Sequence, residues 1–154
     1  MFNLIKINKS KPFEILEDYY KKAMKNNQKS IEAISISSYN LESHEVSSRM
    51  VNLKYIENDK LVFFSNYNSK KALDFYSHNQ VSILIYWNNI NLQIRMKAVV
   101  RKLDNLTSDR YFKDRDLNKN ALAISSNQSS TISSYEEVIK KYKSIKSSAD
   151  LYTR

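Results

Sequence analysis

The sequence predicts a mixed α+β fold, mainly antiparallel, in which a small barrel of strands carries helices at its ends and between its strands. Three observations predict it. Short segments rich in β-branched and aromatic residues recur between positions 31 and 103, separated by junctions rich in Asn and Asp. One amphipathic segment precedes them and another interrupts them, and after Asp104 the spacing of apolar residues becomes helical. At 154 residues the chain suits one domain, since a domain of this size hides about 68–70% of its unfolded surface. The expected layout is a single domain over 1–154: a helical region over 1–28, barrel strands over 31–103 and a helical part over 107–146, with no internal repeat.

The elements follow in order. Pro12–Met24 places apolar groups at helical spacing, with Ser10 as cap and Pro12 in the first turn, where its missing N–H costs nothing. Asn26 and Asn27 break that helix before a strand at Ile31–Ser37. A polar loop through Asn40 and Glu45 leads to a second strand, Val46–Tyr55, and Glu57–Lys60 turns the chain into a third, Leu61–Ser65. Asn68–His78 reads as a short helix with Ala72, Leu73, Phe75 and Tyr76 as its apolar face. Val81–Trp87 and Leu92–Leu103 are longer strands joined at Asn88-Asn89, which makes five strands in all. Thr107–Arg115, Asn118–Ser126 and Tyr135–Lys146 read as helices, the last with Val138, Ile139, Tyr142 and Ile145 in near-helical register.

Hydrophobic residues make up 42% of the chain and charged residues 27%, ordinary values for a folded protein. The sequence has no cysteine and two histidines, His44 and His78. Disulfides, thiolate nucleophiles and cysteine metal sites are therefore excluded, and a histidine-rich metal centre is disfavoured; no metal ligand is assigned. It also has no glycine. That removes the glycine-rich phosphate loops and the nucleophile elbow, whose tight backbone side chains would block, so a bound phosphate must be held mainly by side chains. Positions needing positive φ are expected to fall to Asn and Asp. No segment reaches the roughly 18 apolar residues of a membrane span, and Met1–Ser10 lacks the apolar core of a secretory signal, so the expectation is a cytoplasmic protein without a membrane partner. The net charge of +9 calls for an anionic partner. Because the basic residues are scattered, with only short pairs such as Lys70-Lys71, a nucleic-acid-binding tail is not indicated.

At Ser48-Arg49-Met50-Val51-Asn52-Leu53-Lys54 the chain resembles the Arg-x-Val-Leu-Leu-Lys strand of the pyridoxamine 5'-phosphate oxidase family. Val62-Phe63-Phe64-Ser65-Asn66 followed by Ser69-Lys70-Lys71-Ala72 is similar to that family's Phe-Tyr-Thr-Asn and Ser-Arg-Lys-Ala. Asn79–Trp87, Leu92–Arg95, Tyr111-Phe112 with Arg115, and Asn127-Gln128-Ser129-Ser130 match in turn. The similarity runs from about Lys11 to Tyr142, without a gap from Arg49 to Ser130.

The resemblance implies a split β-barrel that binds flavin mononucleotide (FMN) between two copies of itself. The positions it implies for FMN are Arg49, Met50, Val51, Asn52, Leu53, Lys54, Phe64, Ser65, Lys70, Lys71 and Gln93, with Gln128 and Ser129 reaching the same flavin from the second copy. Lys54, Tyr111 and Arg115 match positions that bind a phosphorylated vitamin B6 substrate, and Lys119 stands where the family usually has serine. The donor chemistry suits the ligand: charge-assisted bonds from Arg49, Lys70 and Lys71 can hold a phosphate, and a strand backbone can pair with the polar edge of a planar ring. Gln93 can meet that edge as donor or acceptor. Lys70 and Lys71 at a helix start oppose the helix dipole and so favour a nearby anion. Tyr111 and Arg115, four apart, would share one helical face and meet a second phosphate together.

The implied reaction is oxidation of pyridoxamine or pyridoxine 5'-phosphate to pyridoxal 5'-phosphate with oxygen as acceptor; no catalytic residue is assigned. The family continues beyond the last residue of this chain through strands carrying a tryptophan and an Arg-x-His-x-Arg motif, groups without a counterpart here. Phe64 replaces tyrosine and Lys70 replaces arginine. These departures bear on turnover more than on flavin binding. A second reading is thus an FMN- or pyridoxal-phosphate-binding member without oxidase turnover, and a third, from another class, is a basic nucleic-acid-binding module. The assigned residues also have plainer roles open to them: Arg49 and Lys54 as surface charges, Lys70 and Lys71 as charges at a helix start, Phe112 as a core aromatic; His44 and His78 are read as loop residues.

Overall fold

A computed structural model describes residues 1–125, 131–148 and 150–152. Among these are six strands and five α-helices, and the chain falls into two compact units, Met1–Ser65 with Asp74–Val100, and Asn66–Leu73 with Arg101–Arg154.

The first unit is built on a sheet of β1 (Asn3–Ile5), β2 (Ala33–Tyr39), β3 (Val46–Glu57), β4 (Lys60–Phe63), β5 (Gln80–Trp87) and β6 (Leu92–Val99), in the order β1-β3-β2-β5-β6 with β4 also on β3. All pairings are antiparallel except β1 on β3, so the expected fold class holds. The long β3 is shared along its length. Val46–Asn52 pairs with β2, whereas Leu53–Glu57 pairs with β4 and Tyr55–Glu57 also with β1. A register shift between Leu53 and Tyr55 re-aims the strand, and both Leu53 and Ile56 are buried.

Alternation places the core. Val81, Ile83, Ile85 and Trp87 of β5 point inward and meet Ile34 and Ile36 of β2, with Leu53 and Ile56 from β3. Helix α1 (Lys11–Lys25) covers this core with Leu16, Tyr20 and Ala23. Glu14 in its first turn and Lys22 and Lys25 in its last complement the helix dipole. Ser10 sits at its cap, but its hydroxyl makes no cap bond; its carbonyl takes the Phe13 and Glu14 N–H groups instead. Two buried polar atoms of this core are paired: Trp87 Nε1 donates to Ile31 O at 3.1 Å, and Tyr20 Oη to Phe2 O at 2.7 Å.

The sixth strand, β1, corrects the expected five. Three residues are too few for alternation to show, and the strand exists because β3 offers an edge and Phe2 beside it is buried against Tyr20, ring centroids 4.2 Å apart. Leu92–Leu103 is likewise shorter than expected, ending at Val99. Six described residues have positive φ, and Asn27, Asn58 and Asn91 are three of them; Lys6, Ser30 and His44 are the others. Asn thus takes part of the role glycine would play, while Asp takes none of it.

In the second unit α3 (Asn105–Lys113), α4 (Leu117–Ser125) and α5 (Tyr135–Ser148) follow one another. Asp104 caps α3, accepting from Thr107 N at 2.7 Å. The buried Asn120 ties two segments, donating from Nδ2 to Phe112 O at 2.7 Å and to Leu151 O at 2.8 Å. Phe112 is buried, as a core aromatic should be. The remaining helix, α2 (Lys70–Ser77), gives its first four residues to this unit and its last four to the first. Its inner side differs from the expected apolar face. Ala72 and Asp74 are buried, whereas Leu73 and Tyr76 are exposed.

Candidate functional site

The matched strand β3 turns Arg49, Val51 and Leu53 inward and Met50 and Asn52 outward. Arg49 therefore does not lie on the solvent side, and its side chain is only 17% exposed. Its guanidinium is held by three groups of the first unit. Nη1 donates to Ser38 Oγ at 2.7 Å and to Ile36 O at 3.3 Å, and Nη2 donates to Asp74 Oδ2 at 2.7 Å. The Phe75 ring lies 5.8 Å from the guanidinium carbon. Asp74 itself is buried, and it accepts further bonds from Ser38 Oγ and Asn40 Nδ2, both at 3.1 Å. Burial works to raise the Asp74 carboxyl, but the hydrogen bonds from Asn40, Ser38 and Arg49 outweigh it and hold the group below its ordinary range.

The outward residues form a different surface. Registers align Met50 of β3, Ser35 of β2, Leu84 of β5 and Arg95 of β6 in one row across the sheet. Ser48, Ser37, Ser82 and Lys97 form the next, and Gln93 lies opposite Tyr86. Met50 is 63% exposed and Tyr86 57%, so this face mixes apolar side chains with small ones and with the exposed cations and amide of β6. Along Val46–Asn52 no strand but β2 pairs with β3 among the described residues. One edge of β3 beside Arg49 thus carries no strand partner among the described residues.

The other expected positions are distributed as follows. Leu53 is fully buried and its N–H donates to Glu32 O at 2.8 Å, so it can offer a ligand no side chain. Lys54 is half-buried and its charge helps to lower the Glu32 carboxyl, an effect led by the hydrogen bond from the Met1 ammonium. Phe64 and Ser65 follow β4 and are half-buried. In the second unit Lys70 and Lys71 open α2. The turn before them is tied by Ser69, fully buried, whose hydroxyl donates to Asn66 O at 2.6 Å.

Tyr111 lies on α3, but Arg115 lies beyond its end, in the turn to α4. The expected pairing on one helical face is corrected here. Asp116 accepts from Asn118 N and Lys119 N at 3.0 and 3.2 Å and so starts α4, which leaves no room for α3 to reach Arg115. Lys119 is exposed in the first turn of α4. Gln128 and Ser129 lie outside the described residues. The units carry their parts of the expected set separately: Arg49–Lys54, Phe64, Ser65 and Gln93 in the first, and Lys70, Lys71, Tyr111, Arg115 and Lys119 in the second.

Asp74 and Ser38 escaped the sequence reading. The one available signal was parity: alternation already put Arg49 on the side of Val51 and Leu53, where a cation needs an acidic partner. The described residues also line surface clefts. One of about 480 Å³ is lined by Lys6, Lys9, Glu14 and Glu17 among others, and one of about 450 Å³ by residues of α5 including Lys140 and Lys143. No cluster of metal-ligating side chains occurs, and no helix is long and apolar enough to cross a membrane, among the described residues.

Comparison with known proteins gives a consistent result. Residues 20–148 match the family model described as pyridoxamine 5'-phosphate oxidase. The pyridoxine/pyridoxamine 5'-phosphate oxidase of Colwellia psychrerythraea is 35% identical over 130 residues, which is 84% of this chain and 59% of that protein. The chain spans about three fifths of the length of the first curated relatives it matches. Among solved structures, PhzG from Burkholderia lata in complex with tetrahydrophenazine-1-carboxylic acid superposes with a TM-score of 0.85 at 19% identity, covering 90% of this chain and 68% of that one. A pyridoxamine 5'-phosphate oxidase-related, FMN binding protein from Nostoc punctiforme gives 0.66 at 12% identity, covering 84% and 72%. Both share the fold.

Proposed function

Because this chain belongs to the pyridoxamine 5'-phosphate oxidase family, we propose that it binds FMN and oxidises pyridoxamine or pyridoxine 5'-phosphate to pyridoxal 5'-phosphate in the cytoplasm, with oxygen as the final acceptor. The observation that carries this is Arg49: a guanidinium anchored on the inner side of a strand that, beside it, has β2 as its one strand partner among the described residues. In a chain without glycine, such side-chain cations replace a phosphate-binding loop. Arg49, Lys70 and Lys71 are the expected cationic donors for the phosphate and the Arg49–Lys54 backbone with Phe64 and Ser65 the expected border of the ring, while Gln93, on the other face of the sheet from Arg49, is the expected partner of a flavin's polar edge. By residue type, cations and a carboxamide suit a planar ligand that is anionic at one end.

When bound, FMN supplies the acceptor for the hydride leaving the substrate. The chain's own residues then have the tasks of binding and orienting. Lys54, Tyr111, Arg115 and Lys119 would hold the substrate phosphate, converting loose encounter into alignment. The exposed row around Met50, Ser35 and Leu84 suits a second copy of the chain, since a sheet face bearing large apolar side chains is a common interaction surface. In that homodimer, Gln128 and Ser129 would complete the flavin site of the partner. A second reading, flavin binding without oxidase turnover, is favoured by Arg115, which lacks the helical pairing with Tyr111.

The test is the visible spectrum of the purified protein loaded with FMN, before and after anaerobic addition of pyridoxamine 5'-phosphate. Bleaching of the flavin is expected for the oxidase. A bound flavin that does not bleach selects the second reading, and no uptake of flavin refutes both.

A further inference from the structure

We propose that Asp74 and Ser38 are positioning residues that preset the Arg49 guanidinium for the phosphate of a bound flavin; this rests on the role given to Arg49 above. A guanidinium has five N–H donors. Three are engaged within the chain, by Ile36 O, Ser38 Oγ and Asp74 Oδ2; the side chain keeps 17% of its surface exposed, and the remaining donors would meet the phosphate. Ser38 links the group: its hydroxyl accepts from Arg49 and donates to Asp74, so both of its roles are used and neither can be lost alone. Ser38 is 3% exposed and Asp74 1%. With Asn40 bonded to the second carboxylate oxygen, the carboxylate has little freedom to turn.

The arrangement matters because a long side chain normally loses rotamer freedom when it grips a ligand. Anchored in advance, it has less to lose. Asp74 has an opposing effect, since its charge repels a phosphate. Ser38→Ala separates the two effects, because it removes one of the bonds that hold Arg49 without changing any charge.

The experiment compares FMN with riboflavin, the same ring without the phosphate, by fluorescence titration. Wild type, Asp74→Asn, Ser38→Ala, Arg49→Ala and the double variants are titrated, with thermal melting of each apo-protein as a folding control. Asp74→Asn and Ser38→Ala should each weaken FMN about tenfold, the scale of one hydrogen bond to a charged group, while leaving riboflavin within about twofold. Combined with Arg49→Ala, neither should weaken FMN beyond Arg49→Ala alone, because all act through one group. Ser38→Ala alters no charge, and decides the matter if Asp74→Asn does not fold. If both variants discriminate FMN from riboflavin as wild type does, while Arg49→Ala loses that discrimination, positioning is wrong and the flavin reading stands. If Arg49→Ala itself retains it, the proposal falls with Arg49's role. If wild type takes up no FMN, the proposal and the flavin reading fall together.

Discussion

Asp74 and Arg49, 25 positions apart, form an ion pair of 2.7 Å in which the carboxylate side chain is 2% exposed and the guanidinium 17%. It ties the last turns of α2 to β3, and it draws an acidic residue into the side of a helix that would otherwise be apolar. The same contact is part of the fold and part of the proposed cofactor site.

Acid should therefore weaken the protein in a recognisable way. The Asp74 carboxyl is lowered from an ordinary 3.8, so the folded state binds this proton less readily than the unfolded chain. Its stabilisation is complete above about pH 4 and is lost as pH falls through the depressed folded value. Asp74→Asn should lose about 3–5 kcal/mol at pH 7 and show a flatter decline below pH 4, measured by urea unfolding across pH.

Trp87 is the single tryptophan and is 1% exposed. Its emission should be blue-shifted and resist acrylamide quenching until the chain unfolds. Trp87→Phe removes the bond to Ile31 O and should cost about 1–2 kcal/mol, since the carbonyl is left unpaired.

Met50→Lys and Leu84→Lys place charges on an exposed sheet face, so the monomer should fold as before. Sedimentation should show the dimer of the proposed function dissociating, most clearly in the double variant. Unchanged dimerisation would move the interface elsewhere.

Lys70→Ala and Lys71→Ala should each reduce FMN affinity about tenfold at low salt and leave riboflavin unaffected. The salt dependence of FMN binding should become shallower, because one fewer cation faces the phosphate. Titrations at several ionic strengths check this.

Local chemistry made much of the fold legible. The alternation of Val81, Ile83, Ile85 and Trp87 and the helical spacing of Leu16, Tyr20 and Ala23 are written into adjacent residues and survive folding unchanged. What escaped was non-local. β1 depends on an edge that β3 provides, about fifty residues on in the register of Asn3 with Tyr55. The burial of Asp74 depends on Arg49, and no pattern within α2 announces it. Arg115 was misplaced on a helix because spacing suggested continuity, whereas Asp116, one residue on, starts a new one. Of the candidate site, residue identities were legible through family resemblance. The inward aim of Arg49 agrees with the parity it shares with Val51 and Leu53, but that aim and its partners needed three dimensions.

The most direct test of the account is titration of the apo-protein with FMN, followed by flavin fluorescence and by the stoichiometry at saturation. Saturable binding of one FMN per chain, weakened by Arg49→Ala far more for FMN than for riboflavin, is the expected result. Binding that does not distinguish the two flavins, or no binding at all, would contradict it.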